Sequence, residues 1–146
     1  MIHNNLELHN VGELTPWGGE GAVRLARYPR AVRETLGPRG RWVSELNVGS
    51  EIRFVTETPC TRLHITNLDF GGVDADLFIF RGDFLAHRYA LKPGSVTSIA
   101  LELTPRFDLV RPDVLRGRRF APGVWRLSFG GSLPVLHEVD TLGYPV

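Results

Sequence analysis

The chain has 146 residues, 42% of them hydrophobic and 23% charged, with a formal net charge of +1. That length fits one domain with its own core, and near-neutrality gives no global field to select nucleic acid or a membrane surface. A single cysteine excludes an internal disulfide framework, no apolar run reaches membrane-spanning length, and no basic segment followed by an apolar run opens the chain, so a cytoplasmic protein is expected.

Residues 5–14 read as a short edge strand in which Leu6 and Leu8 alternate with Glu7 and His9. Thr15 to Gly21 is a loop by its glycine and proline content. Trp17 within it is either a binding aromatic or a plug over one end of the core. Ala22 to Tyr28 extends as a strand. Pro29 then suits a first helical turn, and the spacing predicts one short helix near residues 29–36, with Val32 and Leu36 on one face and Gly37-Pro38 as its stop. Arg41 to Val48, containing Trp42, reads as a strand. Glu51 to Thr56 follows, with Ile52 and Phe54 sharing a face. Thr61 to Thr66 alternates, placing Leu63 and Ile65 inward. Cys60, just before it, reads as a small core residue rather than a nucleophile.

Residues 74–103 organise the chain as a three-strand meander. Leu77-Phe78-Ile79-Phe80 has no polar face and predicts a strand covered on both sides. Leu85, Tyr89 and Leu91 fall on one face with His87, which reads as a hydrogen-bonded core histidine. Ile99, Leu101 and Leu103 share a face of the third strand. Residues 104–122 are the least regular part, crowded with arginines including Arg111, Arg116, Arg118 and Arg119, and read as a surface excursion. Gly123 to Phe129 is a strand with Trp125, Leu127 and Phe129 on one face. Gly130-Gly131-Ser132 turns into a last strand. Eight to ten short strands and one helix predict an all-β, two-sheet sandwich of jelly-roll type.

Chemistry is sparse by comparison. Gly130-Gly131-Ser132-Leu133 resembles the nucleophile block of GDSL-type hydrolases, but only a strand and a tail follow it, and no Asp-x-x-His occurs. It reads as a hairpin turn. Arg81-Gly82-Asp83 matches an adhesion tripeptide but is ordinary turn chemistry. The five histidines show no metal-ligand spacing. Asp69, Asp74 and Asp76 cluster near Gly71-Gly72, where a structural calcium is the alternative to a hydrogen-bonded turn. No cofactor is expected.

Several segments together carry a resemblance. They are Arg24-Leu25-Ala26-Arg27-Tyr28-Pro29 with Val32-Arg33 and Leu36, Gly49 to Thr56, Phe80-Arg81-Gly82-Asp83-Phe84, Leu91-Lys92-Pro93-Gly94 and Val124-Trp125-Arg126. In this order they resemble the N-terminal β-sandwich domain of bacterial SGNH (GDSL-type) esterases, a group similar to carbohydrate esterase family two. The resemblance spans about Leu6 to Pro145. It implies a non-catalytic accessory domain that packs on a catalytic SGNH domain in cis, shapes its cleft, or presents carbohydrate. No catalytic residue carries over, because the chain stops before the family's serine strand. Trp17, Arg111, Arg116, Arg118 and Arg119 are the residues expected to face the missing domain or a ligand. The alternative is a free-standing carbohydrate-binding module.

Overall fold

The computed structural model describes residues 1–19, 21–58, 60–69, 71–72, 74–102 and 109–146. In chain order its elements are β1 (Ile2–His3), β2 (Leu6–His9), β3 (Glu13–Pro16), β4 (Val23–Ala26), α1 (Arg30–Thr35) and α2 (Pro38–Glu45), then β5 (Glu51–Phe54), β6 (Cys60–Asn67), β7 (Ala75–Arg81), β8 (Phe84–Leu91), β9 (Val96–Glu102), α3 (Pro112–Leu115), β10 (Trp125–Gly130) and β11 (Pro134–Asp140). One antiparallel sheet has the order β1-β2-β5-β10-β7-β8, the other β3-β4-β11-β6-β9. The all-β sandwich expected from the sequence is the fold of this chain. From β5 onward the chain alternates between sheets, returning twice to each.

The core follows from the alternation. Leu6, Leu8, Ile52, Leu77, Ile79, Leu127 and Phe129 come from one sheet, and Leu25, Leu63, Ile65, Ile99, Leu101 and Leu136 from the other. Fully burying one such side chain contributes about 1.5–3 kcal/mol, so this shared layer holds the two sheets together. Leu77 and Ile79 face it. Phe78 and Phe80, on the outer side of β7, are half-buried beneath guanidinium groups. The Arg88 carbon lies 5.8 Å from the Phe78 ring centroid and that of Arg126 5.0 Å from Phe80.

Four expectations are corrected. The meander is broken: β7 and β8 form a hairpin, but β9 pairs with β6 in the other sheet. Lys92 to Ser95 carries the crossing, pinned where the Gly94 N–H donates to the Asn67 carbonyl at 2.8 Å. Second, β8 contains a register shift. His87 opposes Ile79 while Leu85 opposes Phe80, so Ala86 is an extra residue. That shift sends Leu85 to the outer face, where it is 56% exposed, and leaves His87 exposed at the sheet edge rather than in the core. Its ring is 6.0 Å from that of Tyr89. Third, residues 41–45, expected to be strand, belong to α2. Pro38 stops α1, but its fixed φ and missing N–H also suit the first turn of a second helix, with Gly37 as the N-cap. Fourth, β2 lies inside its sheet, because β1 takes the edge. Leu103 and the start of the arginine-rich excursion, through Asp108, lie outside the described residues.

Candidate functional site

The segment after α3 folds back onto the outer face of the first sheet. Phe120 is its anchor: the guanidinium carbons of Arg126 and Arg53 lie 4.0 and 4.9 Å from its ring centroid. Beneath it, Glu51 bonds Arg126 Nη2 at 2.6 Å and Arg53 Nε at 2.7 Å. Burial disfavours ionised Glu51, but the hydrogen bonds from Arg126 and Arg53 outweigh it and hold its carboxyl below the ordinary value. Asp83 of the Arg-Gly-Asp turn accepts the Arg119 N–H at 2.7 Å and the Phe120 N–H at 3.4 Å. That carboxylate is committed to fastening the segment.

Among the expected contact residues, Arg118 sits over the Phe84 ring at 5.3 Å and donates to the Val114 carbonyl at 2.9 Å. Arg111 forms a two-bond pair with Asp113, Arg119 lies 5.2 Å from the Phe120 ring, and Arg116 is exposed. Trp17, 42% exposed, belongs to the β3–β4 connection of the second sheet. Neither Trp17 nor any of these four arginines lines the clefts that the described residues form beside α2 and β11.

The remaining candidates separate. The Ser132 hydroxyl is buried with no hydrogen-bond partner among the described residues. Cys60 is half-buried, and its backbone N–H and C=O bond the Thr58 hydroxyl. The three aspartates take different partners: Asp69 accepts the Gly72 N–H at 2.7 Å, Asp74 pairs with Lys92 at 2.8 Å, and Asp76 binds both Nε and Nη2 of Arg88. Among the described residues no three metal-ligating side chains converge.

The site that stands out was not anticipated. The two helices pack beside the β3–β4 hairpin and leave a cleft of about 390 Å³ lined by Arg24, Arg30, Arg33 and Arg41 against Glu13, Glu34 and Glu45. Glu45, on the last turn of α2, pairs with Arg24 and accepts from Arg33 Nη1 at 2.7 Å. Arg33 also reaches Glu13 at 3.1 Å, and Arg41 donates to the Glu34 carbonyl at 3.1 Å. Burial opposes the charge on Glu45, yet the bonds from Arg33 and Arg24 keep its carboxyl below the usual range. Arg24 Nε is buried with no partner among the described residues.

Helical spacing extends this cleft outward. Pro38, Arg41, Trp42 and Glu45 recur at intervals of three and four, so they share one face of α2, while Ser44 is buried on another. Trp42 is 55% exposed, and an open, mostly apolar hollow of about 420 Å³ lies over these four residues. Arg41 and Glu45 line both the charged cleft and the hollow, which makes one continuous surface of an indole and paired charges.

No family profile matches the chain, and no curated protein does. Solved structures similar in fold include two of different kinds. One is a salicylyl-acyltransferase, SsfX3, from a tetracycline biosynthetic pathway, with a TM-score of 0.66 and 15% identity over 96% of this chain and 38% of that one. The other is a family 35 carbohydrate-binding module from Clostridium thermocellum, with a TM-score of 0.53 and 10% identity over 92% of this chain and 89% of that one. The chain therefore spans little more than a third of the acyltransferase. At these identities the likeness is one of fold.

Proposed function

We propose that this chain is a non-catalytic carbohydrate-binding module whose ligand lies along the outward face of α2 and into the charged cleft beside it. The observation that carries this reading is the placement of half-exposed Trp42 directly beside Arg41 and Glu45. A pyranose presents a C–H face that packs on an indole, while its hydroxyls accept from guanidinium N–H groups and donate to carboxylates. The ion pairs fix those donors and acceptors before any ligand arrives, which lowers the ordering cost of binding. The fold likeness to a carbohydrate-binding module, covering most of both chains, supports the same reading.

The test is retardation of the protein in native gels cast with a panel of soluble polysaccharides, repeated with Trp42→Ala. Retardation by at least one polysaccharide, abolished in Trp42→Ala with unchanged circular dichroism, is the expected result. Equal mobility in every gel sinks the proposal.

A second reading keeps the accessory role that the sequence resemblance implies, with the sandwich joined to an acyl-transferring or ester-cleaving SGNH domain. It is favoured by the match of nearly the whole chain to a part of the acyltransferase. On that reading the exposed Val32, Trp42, Val43 and Val48 pack against the second domain. The reading frame downstream of Val146 decides it: the absence of a Gly-x-Ser strand there removes this alternative.

A further inference from the structure

A second cleft, of about 440 Å³, shares no lining residue with the α2 surface. It opens where the β1–β2 hairpin approaches β11. Its floor is apolar: Leu6 and Leu136 belong to the buried core, and Val139 and Val146 pack against that core. Its rim is polar, formed by His3, Asn4, His137 and Glu138.

Two backbone irregularities set that rim. In β11, Leu136 opposes Ile65 and Glu138 opposes His64, so His137 is an extra residue in the strand. Such a bulge re-aims a side chain, and here His137 Nε2 shares a hydrogen bond of 2.8 Å with the Thr66 hydroxyl. That bond fixes the ring at the rim and leaves Nδ1 with no partner among the described residues. Across the cleft, Asn4 and Asn5 take positive φ values of 48° and 63°, the left-handed conformation that asparagine tolerates in a tight turn. The turn carries Asn4 to the rim, where its amide lies 3.4 Å from His3 Nε2.

From this arrangement we propose a second binding site, for a neutral sugar unit or small polyol. An apolar floor suits the C–H face of such a ligand. Imidazole, amide and carboxylate supply both donors and acceptors for its hydroxyls. The rim has no guanidinium or ammonium among the described residues, whereas the α2 cleft has four arginines. A carboxylated or phosphorylated ligand therefore finds no guanidinium or ammonium partner here, and Glu138 opposes it. The site stands independently of the Trp42 surface.

The experiment is a titration of the ¹⁵N-labelled full chain, followed by amide chemical shifts. The probes are glucose, galactose, mannose, N-acetylglucosamine and glycerol, with glucuronate as the charged control. The expected result is saturable shifts at the amides of residues 3–6 and 136–139 with at least one neutral probe, and none there with glucuronate. His137→Ala and Asn4→Gly should each weaken that response several-fold. Asn4→Gly keeps the turn, since glycine accepts the positive φ, and so guards against a folding artefact. Trp42→Ala should leave these shifts unchanged. No saturable shift at these amides with any neutral probe overturns the proposal, as does an equal response to glucuronate.

Discussion

The guanidinium carbon of Arg126 lies 4.0 Å from the centroid of the Phe120 ring, and the same guanidinium donates two hydrogen bonds to Glu51. One side chain thus links the outer face of β10 to the segment that covers it. Phe120→Ala removes the lid from three arginines, of which Arg126 and Arg53 also pair with Glu51. A stacked, partly desolvated cation–π contact contributes up to about 2 kcal/mol, and the lost apolar area adds to it. Urea unfolding should show Phe120→Ala destabilised by about 1–3 kcal/mol.

Glu51 couples this cluster to pH. Its native carboxyl sits below the ordinary carboxylate range, so its contribution is fully present above that range. It is lost as pH falls through the depressed native value. Thermal melts should therefore drop on acidification below about pH 4, with a shallower drop in Glu51→Gln. At neutral pH, Glu51→Ala leaves Arg53 and Arg126 buried without their shared partner and should cost about 3–5 kcal/mol. A loss under 1 kcal/mol in urea titrations would show that the pair is solvated.

Gly82 holds the turn beneath the same segment. Its φ is +55°, and a Cβ there would meet the Ala121 carbonyl oxygen at 3.0 Å and that of Phe120 at 3.2 Å. Gly82→Ala should destabilise by at least about 1–2 kcal/mol. The readout is a lower melting temperature together with faster proteolysis between residues 116 and 122.

Ser132 gives a prediction of opposite sign. Ser132 is 1% exposed and its hydroxyl has no hydrogen-bond partner among the described residues, so Ser132→Ala removes a buried polar group that makes no bond there. Stability should stay level or rise by up to about 1 kcal/mol. Hydrolysis of p-nitrophenyl acetate by the variant should equal that of the parent chain, as the GDSL-like block, expected to be a hairpin turn, is instead the crossing from β10 in one sheet to β11 in the other.

Strand interiors were legible because a period of two is visible in one sequence. Leu6 with Leu8, Leu63 with Ile65, and Trp125 with Leu127 and Phe129 all face the core as their alternation demands. Which sheet a strand joins was not legible. The crossing from β8 to β9 depends on Asn67 reaching Gly94, a tertiary bond. Extra residues in β8 and β11 shift faces without any local mark. Helix α2 was missed because its apolar residues Trp42 and Val43 are adjacent and exposed, giving no helical stripe. With α2 read as strand, Trp42, Arg41 and Glu45 could not be placed on one face, and the candidate surface was hidden. The pairing of Glu45 with Arg24 and Arg33 spans separations of 21 and 12 residues, which no local pattern encodes.

The insertion of Ala86 has a further effect on how copies of this protein meet. Strand β8 borders its sheet, and a straight, regular border invites a neighbouring molecule to dock in register. The kink interrupts that row of amides midway, and Arg88 and His87 crowd it with polar bulk. Leu85 thus lies exposed beside an interrupted border, a geometry that disfavours in-register docking of a second copy.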